Sequence, residues 1–82
     1  IKIMYLVICY AIHNKRIASV DTKDSYENAL DFLIKDAENT YNEEIANSGN
    51  DPSEIELDIV DDTACLIDHP AECTWTWEII TI

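Results

Sequence analysis

Three side chains late in the sequence, Cys65, His69 and Cys73, have the residue types that bind metal ions or exchange electrons. Structural zinc accepts three thiolates and one imidazole, and Cys9 could supply the remaining thiolate. The spacing Cys-x3-His-x3-Cys is wider than the usual Cys-x2-Cys pairs, so we predict no metal and no cofactor here. A Cys65–Cys73 disulfide and a small metal-binding or redox module stay open as alternatives.

A catalytic site is not predicted. His13 falls in an expected turn with no nucleophile beside it, although a Cys–His pair at Cys65 and His69 could in principle be catalytic. The chain has one glycine, Gly49, which excludes the glycine-rich loops that approach phosphates closely. We therefore expect a protein without enzymatic activity.

Acidic and apolar residues alternate at positions 54–60, which read Glu-Ile-Glu-Leu-Asp-Ile-Val. This pattern predicts a half-buried strand with Glu54, Glu56 and Asp58 on one face. Alternate residues of a strand lie roughly 6.6–6.8 Å apart, and a DNA strand has one phosphate per about 3.4 Å of axis. Such carboxylates would match about every second phosphate and attract a protein groove built for nucleic acid. The alternative is a solvated face that keeps the domain soluble.

Other acids could extend this surface. The predicted partner-binding residues include two acids that follow the strand and three acids on the predicted helix, namely Asp61 and Asp62, with Asp36, Glu38 and Glu43. Asp68 and Asp31 could extend these two groups. Phe32 points away from the apolar side of that helix, and we predict that it makes an apolar contact beside the acids.

The distribution of charge supports a basic partner. The 82 residues include 17 acids and 5 bases, for a formal net charge of −12 with neutral histidines. Every Lys and Arg lies in the first 35 residues, and thirteen of the acids follow. Direct nucleic-acid binding is excluded, because phosphates need Lys and Arg. With 48% apolar residues, the chain is too hydrophobic for a disordered tail, and its length predicts a single domain over residues 1–82.

The hydrophobic pattern predicts an α+β domain of order ββαβββ, in which an antiparallel sheet packs on one helix. The strands are expected at 2–12, 16–20, 54–60, 63–67 and 73–82, and the helix at 25–46. Turns are expected at His13–Lys15, with Asn14 left-handed, and at Asp61–Asp62. The run 3–12 is too short to span a membrane.

The predicted core joins the helix to the last strand. Apolar residues recur along the helix at intervals of three and four, at Tyr26, Leu30, Leu33, Ala37, Tyr41 and Ile45. Trp75 and Trp77 share one strand face and are predicted to pack under this helix. An exposed aromatic platform for a partner is the alternative for the two indoles.

In size and acidity the chain resembles the small inhibitors encoded by phages and mobile elements, such as anti-CRISPR and anti-restriction proteins. The resemblance rests on the acids at 54, 56, 58, 61 and 62 and on the acidic helix end Asn42-Glu43-Glu44. It implies a non-enzymatic inhibitor that occupies the nucleic-acid-binding surface of a CRISPR-associated or similar nuclease in the bacterial cytoplasm, with DNA mimicry as one mode of action. An immunity protein or antitoxin against one nuclease is the alternative.

Overall fold

Five antiparallel strands and one long helix form the part of the chain that the computed structural model describes, residues 3–48 and 51–82. The elements are β1 (Tyr5–Ala11), β2 (Arg16–Lys23), α1 (Tyr26–Ser48), β3 (Ile55–Val60), β4 (Thr63–Asp68) and β5 (Cys73–Thr81). Short 3-10 turns occupy Ile12–Asn14 and Pro52–Glu54. The predicted α+β class and the ββαβββ order are confirmed.

The strands lie in the order β2-β1-β5-β4-β3, so the last strand occupies the centre of the sheet. Two hairpins, β1–β2 and β3–β4, flank β5 and each pairs with it through one strand. The β2 strand continues to Lys23, three residues beyond its predicted end, because its last residues keep pairing with β1 as far as Tyr5. A register shift at Cys9–Tyr10 marks a bulge in this hairpin.

The core lies between α1 and one face of the sheet. Its buried side chains come from the helix and from four strands: Ala29, Leu33, Ala37, Val7, Cys9, Ile55, Ala64, Leu66 and Trp77. Trp77 is 1% exposed and Trp75 packs against the same cluster, which confirms the prediction that both indoles belong to the core. Burying a large apolar side chain contributes about 1.5–3 kcal/mol, so this small cluster carries much of the stability.

The buried stripe of the helix differs from the predicted one. Ala29, Leu33 and Ala37, spaced four residues apart, are fully buried, and the two small alanines let the helix lie close to the sheet. Leu30 is half-buried outside this cluster, and Tyr26 is exposed. The Tyr26 ring instead meets the Tyr5 ring edge-on, with the centroids 6.0 Å apart.

Three turns of the described residues contain a left-handed backbone conformation, at Lys15, Asp61 and Glu72. Lys15, and not Asn14 as predicted, has φ 55° and ψ 40°, because Asn14 ends the 3-10 turn that Lys15 caps. The Lys15 amide donates to the carbonyl of Ile12 at 3.1 Å. Asp61 has φ 54° in the β3–β4 turn, where the Asp61–Asp62 turn was predicted.

Within the described residues, no helix combines the length and the apolar character that crossing a membrane requires.

Candidate functional site on the open face of the sheet

The helix covers one face of the sheet, and none of the described elements packs over the other, which we call the open face. Paired residues of neighbouring strands point to the same face, so the register defines its rows. One row runs Val20, Ile8, Glu78, Thr63 and Val60 across all five strands. The next runs Ile17, Tyr10, Thr76, Cys65 and Asp58, and Glu56 lies in a third row with Ile67 and Thr74. The open-face positions of β1 and β2 in these rows are therefore apolar, whereas the carboxylates lie on β5 and β3.

Three carboxylates stand on this face: Glu56 and Asp58 on β3 and Glu78 on β5. All three are exposed. No Lys or Arg occupies an open-face position of the five described strands, because Arg16 pairs with the buried Ala11 and Lys23 lies beside the helix. The acidic half of the face thus has no internal cation other than a histidine.

That histidine is His69. Its Nε2 lies 2.7 Å from Oε2 of Glu56, and both side chains are exposed. When the imidazole is protonated, the contact becomes an ion pair, and it then partly offsets the charge of Glu56. Solvent screening keeps such an exposed pair weak, so it does not cancel the acidity of the surface.

The edge of the sheet at β3 is also concave. A cavity of about 720 Å³ lies there, lined by Glu56, Asp58, Cys65 and Ile67 from the open face and by Tyr41, Ile55 and Leu57 from the helix side. A second depression of about 330 Å³ adjoins it along β4 and β5 and reaches Glu78. Carboxylates and aliphatic side chains are therefore mixed in one surface, which suits a long cationic side chain with an apolar stem.

The strand acids were predicted correctly only in part. Glu56 and Asp58 share the predicted face, whereas Glu54 belongs to the turn at Pro52–Glu54 that precedes β3. The Glu54 amide donates to Asp51 at 2.9 Å, and its carbonyl accepts from the His69 amide at 3.2 Å. The predicted row of three carboxylates is thus a pair, because the regular strand begins one residue later.

Asp36 does not belong to an acidic surface. Its Oδ2 accepts a 2.8 Å hydrogen bond from Nε1 of Trp77, which turns the carboxylate toward the sheet. This bond gives Asp36 a structural role, because the buried indole N–H needs an acceptor and Asp36 supplies it, while its contact with a partner stays a prediction.

Phe32 is not a free apolar contact either. Its ring packs against the core cluster, and Nζ of Lys23 lies 4.4 Å from the ring centroid. The predicted orientation of Phe32 away from the apolar side of the helix is wrong, because its ring reaches the core cluster and Lys23, the last residue of β2, lies over it. A cation over the ring face also adds an attractive interaction.

Glu38 and Glu43 are exposed on α1 as predicted. The helix, however, lies on the opposite side of the sheet from Glu56 and Asp58. One flat partner surface cannot touch both groups, so the helix acids and the strand acids form two separate surfaces. Asp31 also lies on α1 and is paired with Lys35 at 2.9 Å.

Asp61 and Asp62 lie at the tip of the β3–β4 hairpin, where Asp61 is exposed and Asp62 half-buried. This tip approaches the start of α1. Loss of hydration, followed by the charge of Asp62 and a hydrogen bond to it, raises the pKa of Tyr26. The two acids are therefore beside the helix N-terminus and do not continue the row of Glu56 and Asp58.

Asp68 is fully buried at the end of β4 and faces the helix. Its Oδ1 accepts from the Ala71 amide at 3.2 Å. A hydrogen bond also joins it to Glu44 of α1, and burial together with this contact raises the pKa of Glu44. The prediction that Asp68 extends the strand acids is wrong, since even-numbered positions of β4 point into the core.

The cysteines do not form the alternative metal or disulfide site. Cys65 points to the open face, whereas Cys73 pairs with Asp68 and lies on the helix side. All three thiols are free, and no group of three metal-ligating side chains gathers anywhere in residues 3–48 and 51–82. Burial raises the pKa of Cys9 to about 12, with a smaller effect from Asp36.

Glu78 was missed by the sequence analysis. Local alternation places it opposite the tryptophans on β5, but only the central position of β5 brings it next to the β3–β4 hairpin.

Comparison with protein-family models, curated proteins and solved structures found no match for this chain.

Proposed function

We propose that the protein is a non-enzymatic acidic inhibitor that binds the basic nucleic-acid-binding surface of a nuclease complex and blocks access of the target DNA. One observation carries this proposal: Glu56, Asp58 and Glu78 share the open face of the sheet, where the described strands present no Lys or Arg. A surface of one sign that is free of covering elements is suited to a partner of the opposite sign.

The position of the cations supports the same direction of binding. Lys23 covers Phe32 on the helix side, and Lys35 pairs with Asp31 on α1. These two cations are thus held away from the open face, while the net charge of the chain is −12. Such an asymmetric field speeds encounter with a basic surface and orients the protein as it approaches.

The geometry favours competition for a basic surface over a strict copy of the phosphate row. Glu56 and Asp58 are separated by about 6.8 Å along the strand, whereas Glu78 lies two strands away, about 10 Å across the sheet. Three charges in a triangle match a basic patch but not the linear spacing of one DNA strand. We therefore propose that the protein inhibits the nuclease by occupying its basic patch.

The experiment that tests this function is a DNA-competition assay with a panel of purified CRISPR and restriction nucleases, run at low and moderate salt. Binding of one nuclease should be displaced by its DNA and weakened by salt, because opposite charges form the contact. Glu56→Lys combined with Asp58→Lys should weaken binding by more than about tenfold.

The matched control is Glu38→Lys combined with Glu43→Lys, which changes the net charge equally but on the helix side. It should retain most of the binding, since local contacts outweigh total charge once salt screens the longer distances. Equal losses in the two variants would show that net charge alone is responsible. Failure to bind any nuclease at either salt concentration would contradict the proposed function.

A further inference from the structure

The open face has a second half that the acids do not explain. On β1, β2 and β5 it presents aliphatic and aromatic side chains in adjoining positions, namely Leu6, Ile8, Tyr10, Ile17, Val20 and Ile80. Val20 is 51% exposed and Ile17 is 58% exposed, although both lie in a regular strand. A continuous apolar patch of this kind on a small protein is typical of an interaction surface.

We propose that both halves of the open face bind one protein partner, whose contact surface combines an aliphatic or aromatic patch with adjacent Lys or Arg side chains. The apolar patch would lie on β1 and β2, and the cations would face Glu56, Asp58 and Glu78. The basic part of this partner rests on the proposed function, and the apolar part is additional to it. Protein interfaces commonly place such an apolar centre beside a polar rim.

Charge complementarity excludes a second copy of this chain as the occupant. If a twofold axis crosses the strands, each strand lies over its own copy, so the acidic strand β3 faces the acidic strand β3 of the other copy. If the axis runs along the strands, the apolar strand β2 lies over the acidic strand β3 of the other copy. The first arrangement brings like charges together, and the second buries carboxylates against aliphatic groups, so both are unfavourable.

A partner with the proposed chemistry avoids both costs. Its cations would enter the concave region lined by Glu56, Asp58 and Ile67, where stems can contact aliphatic groups and heads can contact carboxylates. Its apolar patch would cover Ile8 and Val20, which are neighbours in one row. The two contacts are then complementary over the full width of the sheet.

The test uses the intact protein and three short peptides, which alternate lysine with valine, lysine with serine, or glutamate with valine. Backbone amide shifts in NMR spectra locate binding, and analytical ultracentrifugation measures self-association. The lysine–valine peptide should shift residues of the open face, including Ile8, Val20 and Cys65. The lysine–serine peptide should bind at least about fivefold more weakly, and the glutamate–valine peptide should not bind.

Ile17→Thr combined with Val20→Thr should weaken binding of the lysine–valine peptide by about fivefold or more, because both halves of the open face contribute to binding. Threonine keeps the branched shape suited to a strand and leaves the exposed backbone undisturbed. Ile12→Thr is the matched control: Ile12 is 47% exposed but lies in the 3-10 turn outside the strands, and its substitution should have no effect.

Three results would overturn this inference. They are peptide shifts confined to the helix, equal binding of the lysine–valine and lysine–serine peptides, and a dimer that Ile17→Thr and Val20→Thr dissociate. Failure of the proposed function has a different signature. In that case no nuclease binds, while the lysine–valine peptide still maps to the open face and still requires Val20.

Discussion

The indole Nε1 of Trp77 donates a 2.8 Å hydrogen bond to Oδ2 of Asp36. Trp77 lies on the central strand β5, and Asp36 lies midway along α1, so the bond joins the two layers of the fold at their middle. Trp77 is almost completely buried, so water has little access to replace a lost acceptor. A carboxylate that seems from sequence to belong to the surface is therefore a structural residue.

Replacing this acceptor should destabilise the fold. Asp36→Ala leaves the indole N–H without its partner and is expected to lower the free energy of unfolding by about 1–3 kcal/mol. Asp36→Asn should cost less, because the amide oxygen still accepts. Urea denaturation followed by tryptophan fluorescence measures both, with Glu38→Ala on the exposed helix surface as a control that should stay within about 0.5 kcal/mol. Equal stabilities of Asp36→Ala and Glu38→Ala would refute this role.

The thiols should differ in reactivity. Burial raises the pKa of Cys9 to about 12, so almost no thiolate exists in the folded protein at pH 8. Iodoacetamide should leave Cys9 unmodified, whereas the half-buried Cys65 and Cys73 should react slowly, since their pKa values are raised as well. Peptide mass spectrometry measures the extent of labelling at each cysteine. In guanidinium chloride all three should react, and fast labelling of native Cys9 would contradict its burial.

The pair of Glu44 and Asp68 should make stability depend on pH. Burial, with the hydrogen bond to Asp68 second, raises the folded pKa of Glu44 above its ordinary value of 4.5, while His13 acts in the opposite sense. The folded state therefore holds this proton more tightly than the unfolded state does. The sign follows: Glu44 contributes most at low pH, and its contribution is lost as pH rises through the folded pKa.

Glu44→Gln should remove that loss, because the amide N–H₂ can donate to Asp68 at every pH. Urea denaturation at a series of pH values from 4 to 7 should give a flatter curve for this variant than for the parent protein. Glu43→Gln, at an exposed neighbouring position, is the control and should keep the parent slope. Parallel curves for all three proteins would contradict the raised pKa of Glu44.

The left-handed position in the first hairpin offers a stabilising substitution. Lys15 has φ 55°, a conformation that costs a residue with a Cβ roughly 1 kcal/mol. Lys15→Gly should raise the free energy of unfolding by less than about 1 kcal/mol, because the greater conformational freedom of glycine in the unfolded chain offsets part of the gain. Asn14→Gly should not raise the free energy of unfolding, because Asn14 lies in the 3-10 turn and has no left-handed backbone to relieve. Thermal denaturation compares them, and a more stable Asn14→Gly would reverse the assignment.

Strand alternation allowed the faces of single strands to be predicted, because side chains of a strand point alternately to its two sides. It grouped Glu56 with Asp58, and Trp75 with Trp77, and the structure confirms both pairs. Alternation within one strand contains no information about its neighbours. The proximity of Glu78 to the β3–β4 hairpin depends on the strand order, which no local pattern specifies.

The helical pattern likewise does not specify what a single acidic side chain of the helix contacts. Asp36 precedes the buried Ala37, so its position at the margin of the stripe fits either solvent or the core. The usable signal was Trp77, because an indole that is predicted to be buried requires a hydrogen-bond acceptor. Asp68 likewise followed a strand pattern whose even positions are apolar, which already indicated the inward side.

The central position of β5 has a kinetic consequence. The hairpins β1–β2 and β3–β4 can each close locally, but only residues 73–81 join them, and β1 pairs with β5 across more than sixty intervening residues. We expect the closure of this long loop to limit the rate of folding, because its entropy must be lost before the pairing is gained. Substitutions in β5 should slow folding, whereas those in the edge strands should mainly speed unfolding.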